Sequence, residues 1–422
     1  MTISRSNPSD PGFLGPNHWR PCAPVRALVC LLSLLSAACF LGSSAEAQNL
    51  QDSGLELPGV WAGQAGWGDY DDDGDMDLAL IGEITIDGQC LRIARVLRND
   101  SALLVEDVAQ SQRLSGVYFG DLGWADYDSD GDLDLGVAGW DADGDESLRL
   151  YLNEEGGEPA ERLLTFDISQ VNEVGEPNLK GVRYAAVSWV DYDSDGDLDL
   201  IVSGMESIGT SLTHLYRNTD GTLELDAPNS EAIINVHSGD LAWADYDSDG
   251  DLDLAISGEN VTTDGGIRRV TEFYVNNPVG TLTLDSSVSL PFGSLVKGGA
   301  LAWADYDSDG NPDLAISGRD EIWNHALHLY RNRPAGTFSR DADFALNSSQ
   351  MIDGQIDWVD YDNDGDPDLA VSGRTIISAF EAEVYENRNG SVTGVSVESG
   401  LEGLAGGVAV WNHSGNPKSF FL

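Results

Sequence analysis

One block of sequence recurs six times along the chain, and it constrains the fold more than anything else. The copies are WGDYDDDGDMDLALIG from Trp67, WADYDSDGDLDLGVAG from Trp124, WVDYDSDGDLDLIVSG from Trp189, WADYDSDGDLDLAISG from Trp243, WADYDSDGNPDLAISG from Trp303 and WVDYDNDGDPDLAVSG from Trp358. Their first aspartates are 57, 65, 54, 60 and 55 residues apart. A softer element follows each copy: VLRND, LYLNE, LYRNT, FYVNN, LYRNR and VYENR. In several units a glycine and an alternating stretch come next, such as GTLELD from Gly221, GTLTLD from Gly280 and GTFSRD from Gly336. The alternation predicts four short strands per unit, a to d, joined by Gly/Asp/Asn turns, with no helical period. Four strands in a repeat of about 55 to 60 residues point to a propeller blade rather than a solenoid coil.

A seventh unit is damaged. GGVAVWNHSGNPKSFFL keeps the small-residue lead, but Trp411 stands where the other copies have tyrosine. Its aspartate positions hold Val410, Asn412, Ser414 and Lys418. The expectation is an all-β propeller of seven blades with an incomplete, metal-free seventh; six blades is the alternative. The early piece LQDSGLELPGVWAG resembles a strand d and the approach to a strand a, so pairing it with the last blade would remove open edges.

Counted from its first aspartate, each loop has carboxylates at positions 1, 3, 5 and 9 and Gly at 6. The first loop supplies Asp69, Asp71, Asp73 and Asp77, with Asp75 at position 7. The second has Asp126, Asp128, Asp130 and Asp134, with Asp132; the third has Asp191, Asp193, Asp195 and Asp199, with Asp197. In the fourth stand Asp245, Asp247, Asp249 and Asp253, with Asp251, and in the fifth Asp305, Asp307, Asp309 and Asp313, with Asn311. The sixth has Asp360, Asp362, Asp364 and Asp368, with Asp366. Carboxylates this crowded repel one another unless a cation offsets them. Calcium takes six to eight oxygens at about 2.3–2.6 Å, and a tight loop supplies them from alternate residues. Gly at 6 allows the sharp turn. Position 7 would give its backbone carbonyl, which explains why Asn311 is tolerated there. An EF-hand would need Glu at position 12, where Leu80, Val137, Val202, Ile256, Ile316 and Val371 stand instead.

Charge agrees with a metal only in part. The loops hold 30 of the 72 acidic residues, and six divalent ions would bring the formal −50 to about −38. A salt-adapted acidic surface accounts for the rest. So negative a chain repels nucleic acid and anionic membranes. Metal-free Asp/Gly turns are the rival reading, but they do not need four carboxylates at fixed spacing six times over. A glycosidase pair would be needed once, not six times. The tryptophans before each loop fit packing between blades better than a row for stacking sugars.

Residues 1–47 have the layout of a secretory signal peptide cleaved after Ala47, leaving 48–422 as the propeller. Lipoprotein anchoring at Cys39 is the minor variant. Cys90 alone remains after cleavage and is expected to be a small half-buried residue, so no disulfide supports the fold.

These tandem D-x-D-x-D-G-x-x-D loops, with LYRN and Gly-rich turns, resemble FG-GAP/VCBS repeats of bacterial surface and secreted proteins and of the integrin α propeller. The resemblance runs from about Trp61 to the C-terminus. It implies one calcium ion in each loop between strands a and b, about six per chain. For the fourth loop it implies ligation by Asp245, Asp247, Asp249, the carbonyl of Asp251, and Asp253, and likewise in the other five.

The expected function is a secreted or surface-exposed (extracellular or periplasmic), non-enzymatic adhesion or ligand-binding module for a protein or carbohydrate partner. An extracellular polysaccharide-acting enzyme, or the propeller part of a larger enzyme, is the alternative. No catalytic set stands out: His214, His237 and His413 are isolated, and no G-x-S-x-G or H-E-x-x-H occurs. Recognition usually sits on variable loops carried by a stiff scaffold. The loops after strand b vary most, and Trp140 and Trp323 are the candidates for partner contact there.

Overall fold

Residues 60–395 are described by a computed structural model, except 87, 100–103, 156–161, 168–177, 207–208, 291–294, 321, 334, 345–353, 361, 363 and 375–379. The expected signal peptide, Cys39 and the damaged seventh unit lie outside the described residues.

Each repeat becomes one four-stranded antiparallel blade, and a single pairing, Ile93 with Val117, joins the first two blades into one eight-stranded sheet. Blade 1 comprises β1 (Trp61–Gly68), β2 (Asp77–Ile86), β3 (Gln89–Asn99) and β4 (Leu104–Glu106), followed by α1 (Val108–Ser111). Blade 2 comprises β5 (Val117–Ala125), β6 (Asp134–Asp141), β7 (Glu146–Glu155) and β8 (Arg162–Phe166). Blade 3 has β9 (Arg183–Val190), β10 (Asp199–Met205), β11 (Ser211–Thr219) and β12 (Thr222–Leu225), then α2 (Ala227–Ala232). Blade 4 has β13 (Leu241–Ala244), β14 (Asp253–Val261), β15 (Ile267–Asn276) and β16 (Leu282–Leu284). Blade 5 is built from β17 (Leu301–Ala304), β18 (Asp313–Arg319), β19 (His325–Asn332) and β20 (Phe338–Arg340). Blade 6 is built from β21 (Ile356–Val359), β22 (Asp368–Arg374), β23 (Phe380–Asn387) and β24 (Val392–Val395). The described residues thus contain six blades. They also contain two short helices that the strand pattern did not announce; Asp107 and Asp226 cap them by accepting from the backbone N–H groups of Gln110 and Asn229.

The register is the same in every blade. The position-9 aspartate opens strand b and faces the last residue of strand a, as in Asp253 opposite Ala244. The tryptophan of strand a faces the next leucine, as in Trp243 opposite Leu254. Strand b lies between two neighbouring strands and two neighbouring blades, so its apolar run is buried on both faces; Leu254, Ala255 and Ile256 are all fully buried.

The tryptophans do pack between blades. Trp124, Trp189, Trp303 and Trp358 stack on the loop tyrosines of the preceding blade, Tyr70, Tyr127, Tyr246 and Tyr306, with centroids 5.5 to 6.1 Å apart. The indole N–H of Trp124 also donates to the Gly66 carbonyl, 3.1 Å away on the preceding strand a. Two aspartates work in the opposite direction: Asp121 accepts from Val187 N–H, and Asp240 from Leu301 N–H, on the following strand a, each at 2.8 Å. Cys90 is exposed, not half-buried, because it lies near the outer end of the long β2–β3 hairpin.

Candidate metal centres

Each aspartate loop is wound by its own carboxylates. Position 1 accepts from the N–H of Gly at 6 in all six loops, at 2.8 to 3.1 Å. Position 5 accepts from the N–H of position 7, at 2.9 to 3.1 Å. The position-6 glycines have φ near the +101° of Gly250, a left-handed conformation that a side chain would strain.

This winding brings positions 1, 3 and 9 together. Oxygens of Asp69, Asp71 and Asp77 lie within 4.8 Å of one another, as do those of Asp126, Asp128 and Asp134, and of Asp191, Asp193 and Asp199. The same holds for Asp245, Asp247 and Asp253, and for Asp305, Asp307 and Asp313. The position-5 carboxylates of Asp73, Asp130, Asp195, Asp249, Asp309 and Asp364 are exposed and engaged with backbone instead. The geometry therefore separates a 1-3-9 core from a peripheral position 5.

Position 9 is the buried member. Asp77, Asp134, Asp199, Asp253, Asp313 and Asp368 are 0 to 1% exposed. One oxygen of each accepts from the backbone N–H of the asparagine near the end of strand c, at 2.7 to 2.9 Å. Burial pushes Asp77, Asp134 and Asp199 up to about 8, and Asp253 and Asp313 to about 7, with the neighbouring carboxylates adding to the effect. Asp126 Oδ1, Asp193 Oδ1, Asp253 Oδ2 and Asp313 Oδ2 are buried and accept no hydrogen bond. Three converging carboxylates in each cluster, with buried oxygens that lack donors among them, fit a hard divalent cation that binds through oxygen. A bound ion would supply the positive charge that lets all three ionise together.

Position 3 is enclosed by the following blade. A Cβ placed on Gly280 would lie 3.1 Å from Asp193 Cβ, so the glycine of the c–d turn permits this approach as well as its own φ of +80°. Arginines approach position 3 in some blades: Arg217 Nε lies 3.2 Å from Asp193, and Arg331 Nε 3.8 Å from Asp307. They offset charge there without reaching all three carboxylates.

The asparagines in VLRND, LYLNE and their counterparts are residues whose role spacing alone did not reveal. Asn153, Asn218, Asn276, Asn332 and Asn387 donate from Nδ2 to the carbonyl of the loop tyrosine in the preceding blade, at 2.6 to 2.7 Å. Each also donates to the carbonyl of position 8 in its own loop. The loop tyrosines in turn donate to the aspartate after strand d, as in Tyr192 to Asp226 at 2.6 Å. Burial, then this bond, holds the tyrosine hydroxyls far above their usual range.

The opposite ends of the strands carry a different chemistry. Trp140 stacks on Tyr118, centroids 5.5 Å apart, with Arg92 and Arg183 at 5.2 and 4.8 Å from its ring. Trp61, Phe119 and Tyr184 extend this cluster. Trp323 is half exposed in the β18–β19 turn. The two tryptophans thus lie on the face away from the aspartate loops, as the loop order predicted.

Comparison with known proteins agrees with the repeat. The FG-GAP-like repeat family matches residues 126–202, 191–256 and 317–371. Phosphatidylinositol-glycan-specific phospholipase D of Rattus norvegicus is 24% identical over 248 residues, 51% of this chain and 28% of that protein. This chain therefore matches little more than a quarter of that relative's length. An Agrocybe aegerita lectin, solved for specific recognition of non-reducing terminal N-acetylglucosamine, has 16% identity, covers 82% of this chain and 81% of its own, and has a TM-score of 0.51. The Aleuria aurantia lectin, a six-bladed β-propeller with a fucose recognition mode, has 13% identity, covers 83% and 98%, and has a TM-score of 0.43. At 16% identity the likeness to the Agrocybe aegerita lectin concerns the fold alone.

Proposed function

Because the chain carries FG-GAP-like repeats on a β-propeller, we propose that it is a calcium-stiffened, non-enzymatic module that binds carbohydrate outside the cytoplasm. The observation that carries the metal is the convergence of positions 1, 3 and 9 with buried oxygens lacking donors. In each loop, positions 1, 3 and 9 would hold the ion, position 5 would close on it from outside, and position 7 would add its carbonyl. The ion would make each a–b turn a rigid corner.

Carbohydrate binding is supported by the aromatic residues and cations on the opposite face, Trp140 and Trp323 among them, and by the N-acetylglucosamine recognition of the structurally similar Agrocybe aegerita lectin. The secretory-signal layout of residues 1–47 supports export. The described residues contain no helix long and apolar enough to cross a membrane. A second reading, the propeller part of a larger enzyme, is favoured by the partial match to the rat phospholipase.

A glycan array probed with calcium-loaded protein, with turnover assays on each hit, tests the reading. We expect glycan binding without turnover. Binding to no glycan, or turnover of a bound one, would reject it.

A further inference from the structure

Blades 2 to 5 join strands b and c by the same tight turn, and one of them breaks the rule that the others follow. The left-handed position is glycine in three: Gly144, Gly209 and Gly265, with φ of +89°, +80° and +80°. Each donates its N–H back to the residue that opens the turn. In blade 5 the same bond is made by Trp323, whose N–H donates to the Asp320 carbonyl at 3.1 Å while its φ is +71°. A bulky residue in this region is a backbone outlier, and such outliers persist where the surroundings impose them. Here Asp320 imposes it: its carboxylate accepts from Ile322 N–H at 2.9 Å and from Asn324 N–H at 2.8 Å. The result is a large indole, 50% exposed, where packing asks for nothing larger than glycine.

Cations converge on that ring. Arg269 lies 4.3 Å from its centroid, Lys297 5.2 Å and Arg319 5.6 Å, brought there from blades 4 and 5. In a chain with 22 basic residues against 72 acidic ones, three at a single ring is a concentration. The nearby carboxylates are committed. Glu259 faces Lys297 at 3.1 Å and Arg269 at 3.5 Å, and Asp320 is bonded within its own turn. Glu321 lies outside the described residues. Arg319 Nε is buried and has no hydrogen-bond partner.

We propose that Trp323, with Arg269, Lys297 and Arg319, forms a site for an acidic sugar of the hexuronate class, which rests on the carbohydrate-binding reading above. A hexuronate has one apolar ring face and one carboxylate about a ring's width away. The half-exposed indole receives the first, and the cations gathered over it receive the second. An acidic peptide has the charge but no flat, rigid face to lie on a single protruding indole.

The test is calorimetric titration of the full calcium-loaded chain with a glucuronate-bearing oligosaccharide and with the same oligosaccharide after its carboxylates are reduced to alcohols. We expect the acidic form to bind at least about tenfold more tightly. Trp323→Gly restores the residue that the sister turns use, so its melting temperature should equal or exceed the parent's while binding falls about tenfold. Lys297→Gln should weaken the acidic form and leave the reduced form unchanged. Equal binding of the two forms would overturn the hexuronate assignment and leave carbohydrate binding standing. Undiminished binding by Trp323→Gly, displacement of the sugar by poly-glutamate, or binding of neither form would also overturn it; in the last case the glycan array decides carbohydrate binding separately.

Discussion

At the scale of single residues, the informative aspartate is the buried one at position 9. Its spacing from the others was plain in the sequence, but its burial was not, because burial depends on the asparagine of strand c and on the adjoining blade. That burial has a consequence for pH. Asp77, Asp134 and Asp199 are pushed up to about 8, and Asp253 and Asp313 to about 7, from an unfolded value near 3.8. Between these values the folded, calcium-depleted chain binds more protons than the unfolded one, so its stability falls as pH rises. The contribution is complete below about pH 4 and lost once pH passes about 8. A bound cation inverts this, since it favours the ionised form. Calcium-depleted protein should therefore melt at a higher temperature at pH 5 than at pH 8, and the calcium-loaded protein should not. Melting curves at the two pH values, with and without the ion, check both halves; a depleted protein more stable at pH 8 would refute the account.

At the scale of elements, the blade was legible and its fastening was not. Period-two alternation and the turn residues announced strands such as β13 to β16, and the tryptophans on strand a were correctly read as packing between blades. What spacing could not say is that the asparagine near the end of strand c reaches two loops at once in blades 2 to 6. Asn276 donates to Tyr192 O of blade 3 at 2.6 Å and to Leu252 O of its own loop at 3.0 Å, while its backbone N–H holds Asp253. Its side-chain oxygen accepts from Gly280 N–H at 2.8 Å. The clue in the sequence was an asparagine in the same place six times, but a hydrogen-bond partner some 80 residues away leaves no local signature. Asn276→Ala removes the side-chain partners of these buried groups, and should cost about 2–4 kcal/mol because they are left unsatisfied. Chemical denaturation should show a lowered midpoint. Asn277→Ala, one residue on and exposed, should stay within about 0.5 kcal/mol of the parent. The Trp323 turn escaped the sequence for a related reason: its left-handed position emerges only when the b–c turns of the blades are superposed.

At the scale of the whole molecule, a formal charge of −50 and six crowded loops leave two sources of salt dependence to separate. Diffuse self-repulsion responds to ionic strength and is indifferent to which cation supplies it. A site built from converging carboxylates responds to the ion itself and stabilises the fold by mass action, in proportion to the logarithm of its free concentration. The fold ties the loops in series, since the strand-c asparagine of each of blades 2 to 6 links its loop to the loop before it. Filling the loops should therefore stiffen the propeller as one body, and calcium should raise the melting temperature far more than sodium chloride of equal ionic strength. Elemental analysis of the loaded chain should find about six ions, one for each loop with its four carboxylates. Asp253→Asn should remove about one ion from that count while the other loops stay occupied. Coincident melting curves in the two salts would assign the charge to surface repulsion alone, and would leave the buried 1-3-9 oxygens without the partner that their arrangement calls for.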